Sequence, residues 1–199
     1  MLKSSDKLRI LFFIALWTFT LINCNGHETD KKFDKFLSHF IDFDFPIVAD
    51  DFLGHMVNNY IIEKDFLMYD SYLRDKNDTL WAFHDDYDFA YGGKHKLDNY
   101  WLVFFRRGIM PEMVSLQKSQ IVFVTYTLDG KIISLQPISG YYGESIIIET
   151  IINSSDEIIA NYTDTDYEAE NGPVETRYSM HYYIDNNGTI VENKKESVK

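Results

Sequence analysis

The chain has 199 residues, 45% of them hydrophobic and 16% aromatic, with 19 basic against 31 acidic side chains and a net charge of −12. That length suits one domain with its own core, the ring content excludes wholesale disorder, and the acidity excludes a partner that presents a phosphate backbone, so no nucleic acid is expected. A single cysteine, Cys24, excludes an intramolecular disulfide, so the core must hold the fold unaided.

In chain order, Lys3, Lys7 and Arg9 precede an uncharged run of 13 residues from Ile10 to Ile22, followed at once by Asn23-Cys24-Asn25-Gly26 and a polar stretch. This is the basic, apolar and exit sequence of a secretory signal peptide over residues 1–23. As a helix the run would span about 20 Å against the roughly 30 Å of a bilayer core, too short for a permanent anchor. Loss of the leader removes Lys3, Lys7, Arg9 and Asp6, leaving 16 basic against 30 acidic residues.

Leu21-Ile22-Asn23-Cys24 resembles the lipobox of bacterial lipoproteins, with Asn23 standing where Gly, Ala or Ser is usual. The resemblance implies that Cys24 is the lipid-attachment residue and that residues 24–32 form a short tether to the membrane. An ordinary Cys24 beside a cleavage site, releasing a soluble secreted domain, is the alternative. An exposed free thiol is a liability in an oxidising compartment, which lipidation would remove.

Phe33, Phe36, Leu37, Phe40 and Ile41 recur at the spacing of one helical face, with Thr29 or Asp30 as N-cap and Pro46 as terminator. Two further amphipathic helices are expected over 51–62 and 63–73. From Leu80 the pattern changes to short β-rich runs between turn residues, giving strands near 80–90, 97–106, 120–128, 131–138, 145–152, 157–164, 175–184 and 189–193. Gly92-Gly93, Asp129-Gly130 and Asn187-Gly188 are expected as turns, Asp129-Gly130 in the type I′ form. Strand 120–128 is apolar on both sides, which predicts cover on both faces. The acidic 164–173 stretch should be an exposed connection, and 194–199 a polar tail.

Helices followed by a strand meander predict an α+β fold. Two or three N-terminal helices (33–73) would lie over the concave side of one antiparallel, curved sheet (80–193), all within a single domain spanning 33–193.

The Phe-rich first helix running into Phe45-Pro46, the hairpin Val122–Leu128, Asp129-Gly130-Lys131, Ile132–Ile138, the turn Gly140-Tyr141-Tyr142-Gly143 and the Ile-rich Ser145–Ile152 together resemble uncharacterised secreted proteins and lipoproteins of Bacteroidota. The resemblance implies a bacterial source and an envelope location, with the outer membrane as the anchoring surface, and implies no activity.

Candidate chemistry is sparse. Trp81-Ala82-Phe83-His84-Asp85-Asp86-Tyr87-Asp88 is the richest polar cluster, and pairing across a Gly92-Gly93 turn would let His84 or Asp86 approach His95 or Asp98. Such a set suits a divalent metal, although no ligand spacing is present; an acidic solvent-facing hairpin is the plainer reading. No Gly-x-Ser-x-Gly elbow and no phosphate-cradling glycine loop occur, so no catalytic residue, metal site or cofactor is assigned. Arg106-Arg107 is expected as a solvated strand edge. Asn77, Asn153, Asn161 and Asn187 match glycosylation sequons, which in a bacterial protein are ordinary turn asparagines.

The tyrosines concentrate in the sheet, where they either pack strands or present an aromatic face to a glycan or peptide. A non-catalytic, lipid-anchored binding or interaction module is therefore expected, with an unknown protein, peptide or glycan ligand. A secreted metal- or carboxylate-dependent hydrolase on His84, Asp86 and His95 is the alternative, and a fold holding a ligand in an apolar pocket between helices and sheet is a third possibility.

Overall fold

The computed structural model describes residues 31–52, 56, 58–74, 87–109, 118–142 and 146–197. The leader, Cys24, the cap residues Thr29 and Asp30, the segment carrying Asn77, His84 and Asp86, and Gly143 lie outside the described residues.

The chain is helical over 31–37 (α1) and over Glu63–Leu73 (α2), with a 3-10 turn at Ala49–Phe52. Strands follow as β1 (Ile41–Asp42), β2 (Ile47–Val48), β3 (Tyr87–Lys96), β4 (Tyr100–Ile109), β5 (Lys118–Thr127), β6 (Ile132–Tyr142), β7 (Ile146–Ser154), β8 (Glu157–Asp166), β9 (Val174–Ile184) and β10 (Ile190–Ser197). The described residues thus form a mostly β structure on one sheet, in which β3 to β10 pair antiparallel in chain order. Short β1 lies parallel on the β3 edge, and β2 pairs antiparallel with β7.

The third expected helix forms over its whole length as α2. The second, 51–62, does not form as one helix: the described part contains the 3-10 turn ending at Phe52, and Tyr60 bridges to Ala90 of β3. Residues 53–55 and 57 lie outside the description. Attachment to the sheet edge has won here over the helical spacing of Phe52, Met56 and Tyr60.

Strands β4 and β5 decide the layering. Leu102, Phe104, Ile121 and Phe123 point to one face while Val103, Phe105, Val122, Val124 and Tyr126 point to the other, and all nine are at most 1% exposed. The second face meets Phe33, Phe36 and Phe40 from α1 and its following turn, and Phe66, Tyr69, Tyr72 and Leu73 of α2. The first face meets Ile148, Ile152, Ile158, Ala160, Tyr182, Ile184 and Ile190 from the later strands, together with Phe43, Ala49 and Met56. The second half of the sheet therefore folds back over the face opposite the helices, and the helices lie on its outer, convex side. The expectation that helices cover the concave side is corrected: the sheet's own isoleucine-rich strands fill that space.

The fold-back has a local origin. β6 pairs with β5 along its length, yet meets β7 only through Gly140–Tyr142 with Ile148–Ile146. Where the two strands part, hydroxyls replace the ladder: Ser139 Oγ donates to Ile148 O at 3.0 Å and Thr150 Oγ1 donates to Ile138 O. Gly140 stands at this corner with φ +130°, and a Cβ there would lie 2.0 Å from Ser119 O. The expected Gly-Tyr-Tyr-Gly turn is thus corrected for its described residues: Gly140 to Tyr142 continue β6.

Gly92-Gly93 is also not a turn. β3 runs through it with a shift in pairing between Tyr91 and Lys94, and the reversal comes at 97–99, where Leu97 N donates to Tyr100 O at 2.9 Å. A Cβ on Gly92 would lie 2.5 Å from Phe104 O, and one on Gly93 2.7 Å from the Phe104 ring, so these glycines admit close packing rather than a bend.

Asp129-Gly130 does turn the chain, but not as type I′. No described non-glycine residue has positive φ, so of this pair only Gly130 does (+84°), with Gly130 N donating to Thr127 O at 2.9 Å. A type I turn followed by a left-handed glycine fits this pattern. The β9–β10 turn repeats it with Gly188 at +86°, and the Asp185 carboxylate accepts from Asn187 N and Thr189 N at 2.9 and 2.8 Å. That turn closes the fold-back, because Thr125 Oγ1 donates to Gly188 O at 2.5 Å. The expected tail is partly strand: Lys194 to Ser197 pair with His181 to Tyr178. The charges of Lys194, Lys195 and Glu196 blunt this free edge against pairing with other chains.

Gly140→Ala should lower unfolding free energy by more than about 2 kcal/mol, combining a strained φ with backbone collision. Gly172, at φ +98° with nothing within 4 Å of a built Cβ, should lose only about 1 kcal/mol on the same change. Urea unfolding of the two variants checks the contrast; equal losses would refute the corner role of Gly140.

Candidate functional site

The residues picked out for metal chemistry do not assemble among the described residues. His95 lies near the end of β3 between the rings of Phe43 and Phe45, at 5.4 and 4.7 Å. Its Nδ1 is 2.7 Å from Phe43 O; a carbonyl only accepts, so Nδ1 carries the proton. Asp98 is exposed in the following turn, and no group of three or more His, Cys, Asp or Glu among the described residues could hold a metal. The hairpin meant to return 84–86 toward His95 is replaced by a strand running straight through Gly92-Gly93.

Arg106 and Arg107 are not a solvated edge. Arg106 pairs with Asp88 across β3–β4, both side chains under 20% exposed, and its guanidinium sits 5.3 Å from the Tyr60 ring centre. Arg107 is buried and its Nε donates to Gln120 Oε1 at 2.9 Å. Positions on opposite faces of one strand, each with a polar partner on a neighbouring strand, hold the two charges inside.

The sheet tyrosines mainly pack. Tyr91, Tyr100 and Tyr182 are buried. Tyr162 and Tyr178 stack across β8–β9 with centroids 4.7 Å apart and planes 9° from parallel, and Lys195 Nζ lies 3.9 Å from the centre of Tyr178. With Ile148 next in the same row, this stack spends its faces on neighbours rather than offering a flat platform for a sugar.

Polar groups do gather under the helices, at a place the sequence reading missed. Asp65 and Tyr69 lie one turn apart on α2, His39 follows α1, and Tyr91 comes from β3. The His39 ring stacks on Tyr91 at 4.7 Å and 14°, and meets the edge of Tyr69 at 5.8 Å. His39 Nε2, Tyr69 Oη and Tyr91 Oη are buried with no hydrogen-bond partner in the protein.

Burial, then the Asp65 charge, pushes both phenols above the ordinary tyrosine range, so at neutral pH neither supplies a tyrosinate base. The available clue was His39 itself, a polar residue falling beside Phe36 and Phe40 on the apolar stripe.

A second feature is open to solvent. On the outer face of the folded-back strands, Tyr141 pairs with Ile147, and Val48 with Ile151. All four are exposed, Ile147 by 50%, with Glu149 between the two isoleucines.

Comparisons with protein-family models, curated proteins and solved structures found no match.

Tyr126, fully buried, has its phenol raised well above 10.0 by burial, then by Tyr72, and donates to Tyr72 O at the end of α2. A proton held more tightly in the folded state gives stability that is intact below the unfolded value near 10 and is lost as pH rises beyond it. The urea midpoint should therefore fall steadily above about pH 10, and Tyr126→Phe should show a shallower fall. Parallel pH profiles of the two proteins would exclude this role for Tyr126.

Proposed function

We propose that this chain is an exported envelope lipoprotein, anchored through lipid on Cys24, whose mature α+β domain is a non-catalytic binding or interaction module. One observation carries the reading: three basic residues, a 13-residue apolar run and Leu21-Ile22-Asn23-Cys24 in that order, with Cys24 the sole cysteine of the chain. Several acyl chains at about 0.8 kcal/mol per buried methylene would hold the domain on a membrane, by the reading above the outer membrane of a bacterium. The exposed row of Tyr141, Ile147, Val48 and Ile151 supports the interaction part, as a surface for a protein, peptide or glycan partner. No described helix is long and apolar enough to cross a membrane.

Radiolabelled palmitate should enter the wild-type protein during expression in a bacterium that processes lipoproteins, and Cys24→Ala should abolish the label. Equal labelling of both, or none in the wild type, would overturn the anchor.

A further inference from the structure

We infer that the end of the sheet carrying the 128–131 turn is the surface that the domain turns toward the bilayer. The inference rests on the Cys24 anchor proposed above and adds the orientation.

The first described residues enter at that end. Phe33 packs over Gly130 and lies 5.3 Å from the rings of Tyr72 and Tyr126, and Lys32 Nζ is 5.6 Å from the Tyr72 ring centre. From there α1 runs inward until Phe40 meets Tyr91, 5.1 Å away in the middle of β3. The antiparallel order puts the turns 97–99, 128–131, 154–157 and 185–189 at this same end, whereas the turn 167–173 lies at the other. Seven residue steps separate Cys24 from Lys31, at most about 25 Å of extended chain. Strands of 8 to 11 residues in β3–β10 measure about 27 to 37 Å. The tether can therefore bring the entry end onto the lipid surface, and it falls short of the span needed to stand the domain upright on its opposite end.

The chemistry of the entry end permits this. Exposed Lys31, Lys32, Lys96 and Lys131 gather there with Asp98, Asp129, Asp156, Glu157 and Asp185, four basic against five acidic groups in a chain of net −12. Asp129 is further neutralised by Lys131 at 2.8 Å, which holds its carboxyl below the usual range, and Asp185 is turned onto its own backbone. Leu128, 51% exposed at the tip of the turn, supplies an apolar contact beside the lysines. Anionic headgroups that most of the surface would repel meet nearly balanced charge here.

The test uses full-length protein purified from a bacterium that processes it, where lipid blocks the Cys24 thiol. Leu128→Cys and, at the opposite end, Tyr167→Cys each add one reactive thiol at an exposed turn, to be labelled with an environment-sensitive dye. The proteins are reconstituted in phosphatidylcholine–phosphatidylglycerol vesicles bearing a headgroup quencher. Quenching should be at least threefold stronger at position 128 than at 167. Equal quenching, or stronger quenching at 167, overturns the orientation while leaving the anchor standing. Failure of the unlabelled protein to float with vesicles overturns the anchor itself, and the orientation with it.

Discussion

Strands β4 and β5 bury both of their faces, and the rest of the molecule answers that constraint. The runs Leu102-Val103-Phe104-Phe105 and Ile121-Val122-Phe123-Val124 leave no side for water. Each face needs a layer of its own, and the chain supplies two different ones: aromatic helices from before the sheet and isoleucine-rich strands from after it. Fully burying each such side chain contributes about 1.5–3 kcal/mol, so this pair of strands carries a large share of the apolar stabilisation. A domain without disulfides has that source of rigidity to lean on.

A single continuous sheet can supply its own cover only if it bends sharply. The bend is concentrated between Pro137 and Gly140, where β6 loses its ladder with β7 and the hydroxyls of Ser139 and Thr150 satisfy carbonyls that the parting strands leave open. Buried carbonyls need partners, so these small polar residues in an apolar layer follow from the bend. At the far end, the Gly188 carbonyl receives the Thr125 hydroxyl, pinning the returning hairpin onto β5.

The helical layer is held mainly by rings, with few polar ties. Phe36 alone touches six other aromatic rings, and Lys94 Nζ fastens the end of α1 by donating to Leu37 O at 2.9 Å. Among the described residues, the helix–sheet interface leaves the buried polar atoms of His39, Tyr69 and Tyr91 without hydrogen-bond partners in the protein. The two sides thus differ: a ring-packed side where the described chain enters, and a strand face on which Tyr141, Ile147 and Ile151 are exposed.

By itself the sequence determined most of the strands, because alternation and turn chemistry act over a few neighbours: α2 and the seven strands β4 to β10 lie where local spacing puts them, within a few residues at their ends, whereas the strand expected over 80–90 is β3, which runs on to Lys96. It also determined that β5 is covered on both sides, since no polar residue between Ile121 and Val124 leaves a wet face. Tertiary structure alone decided which face each layer takes, that Gly92-Gly93 serves ring packing and not reversal, and that Arg106 and Arg107 are drawn inside. Each depends on groups far away in the chain: Phe104 and Met56 against Gly92, Asp88 and Tyr60 beside Arg106, Gln120 beside Arg107. The cluster of His39, Tyr69 and Tyr91 was hidden for the same reason, since three separate elements contribute to it. Periodicity reports how a segment meets its surroundings, and only packing says what those surroundings are.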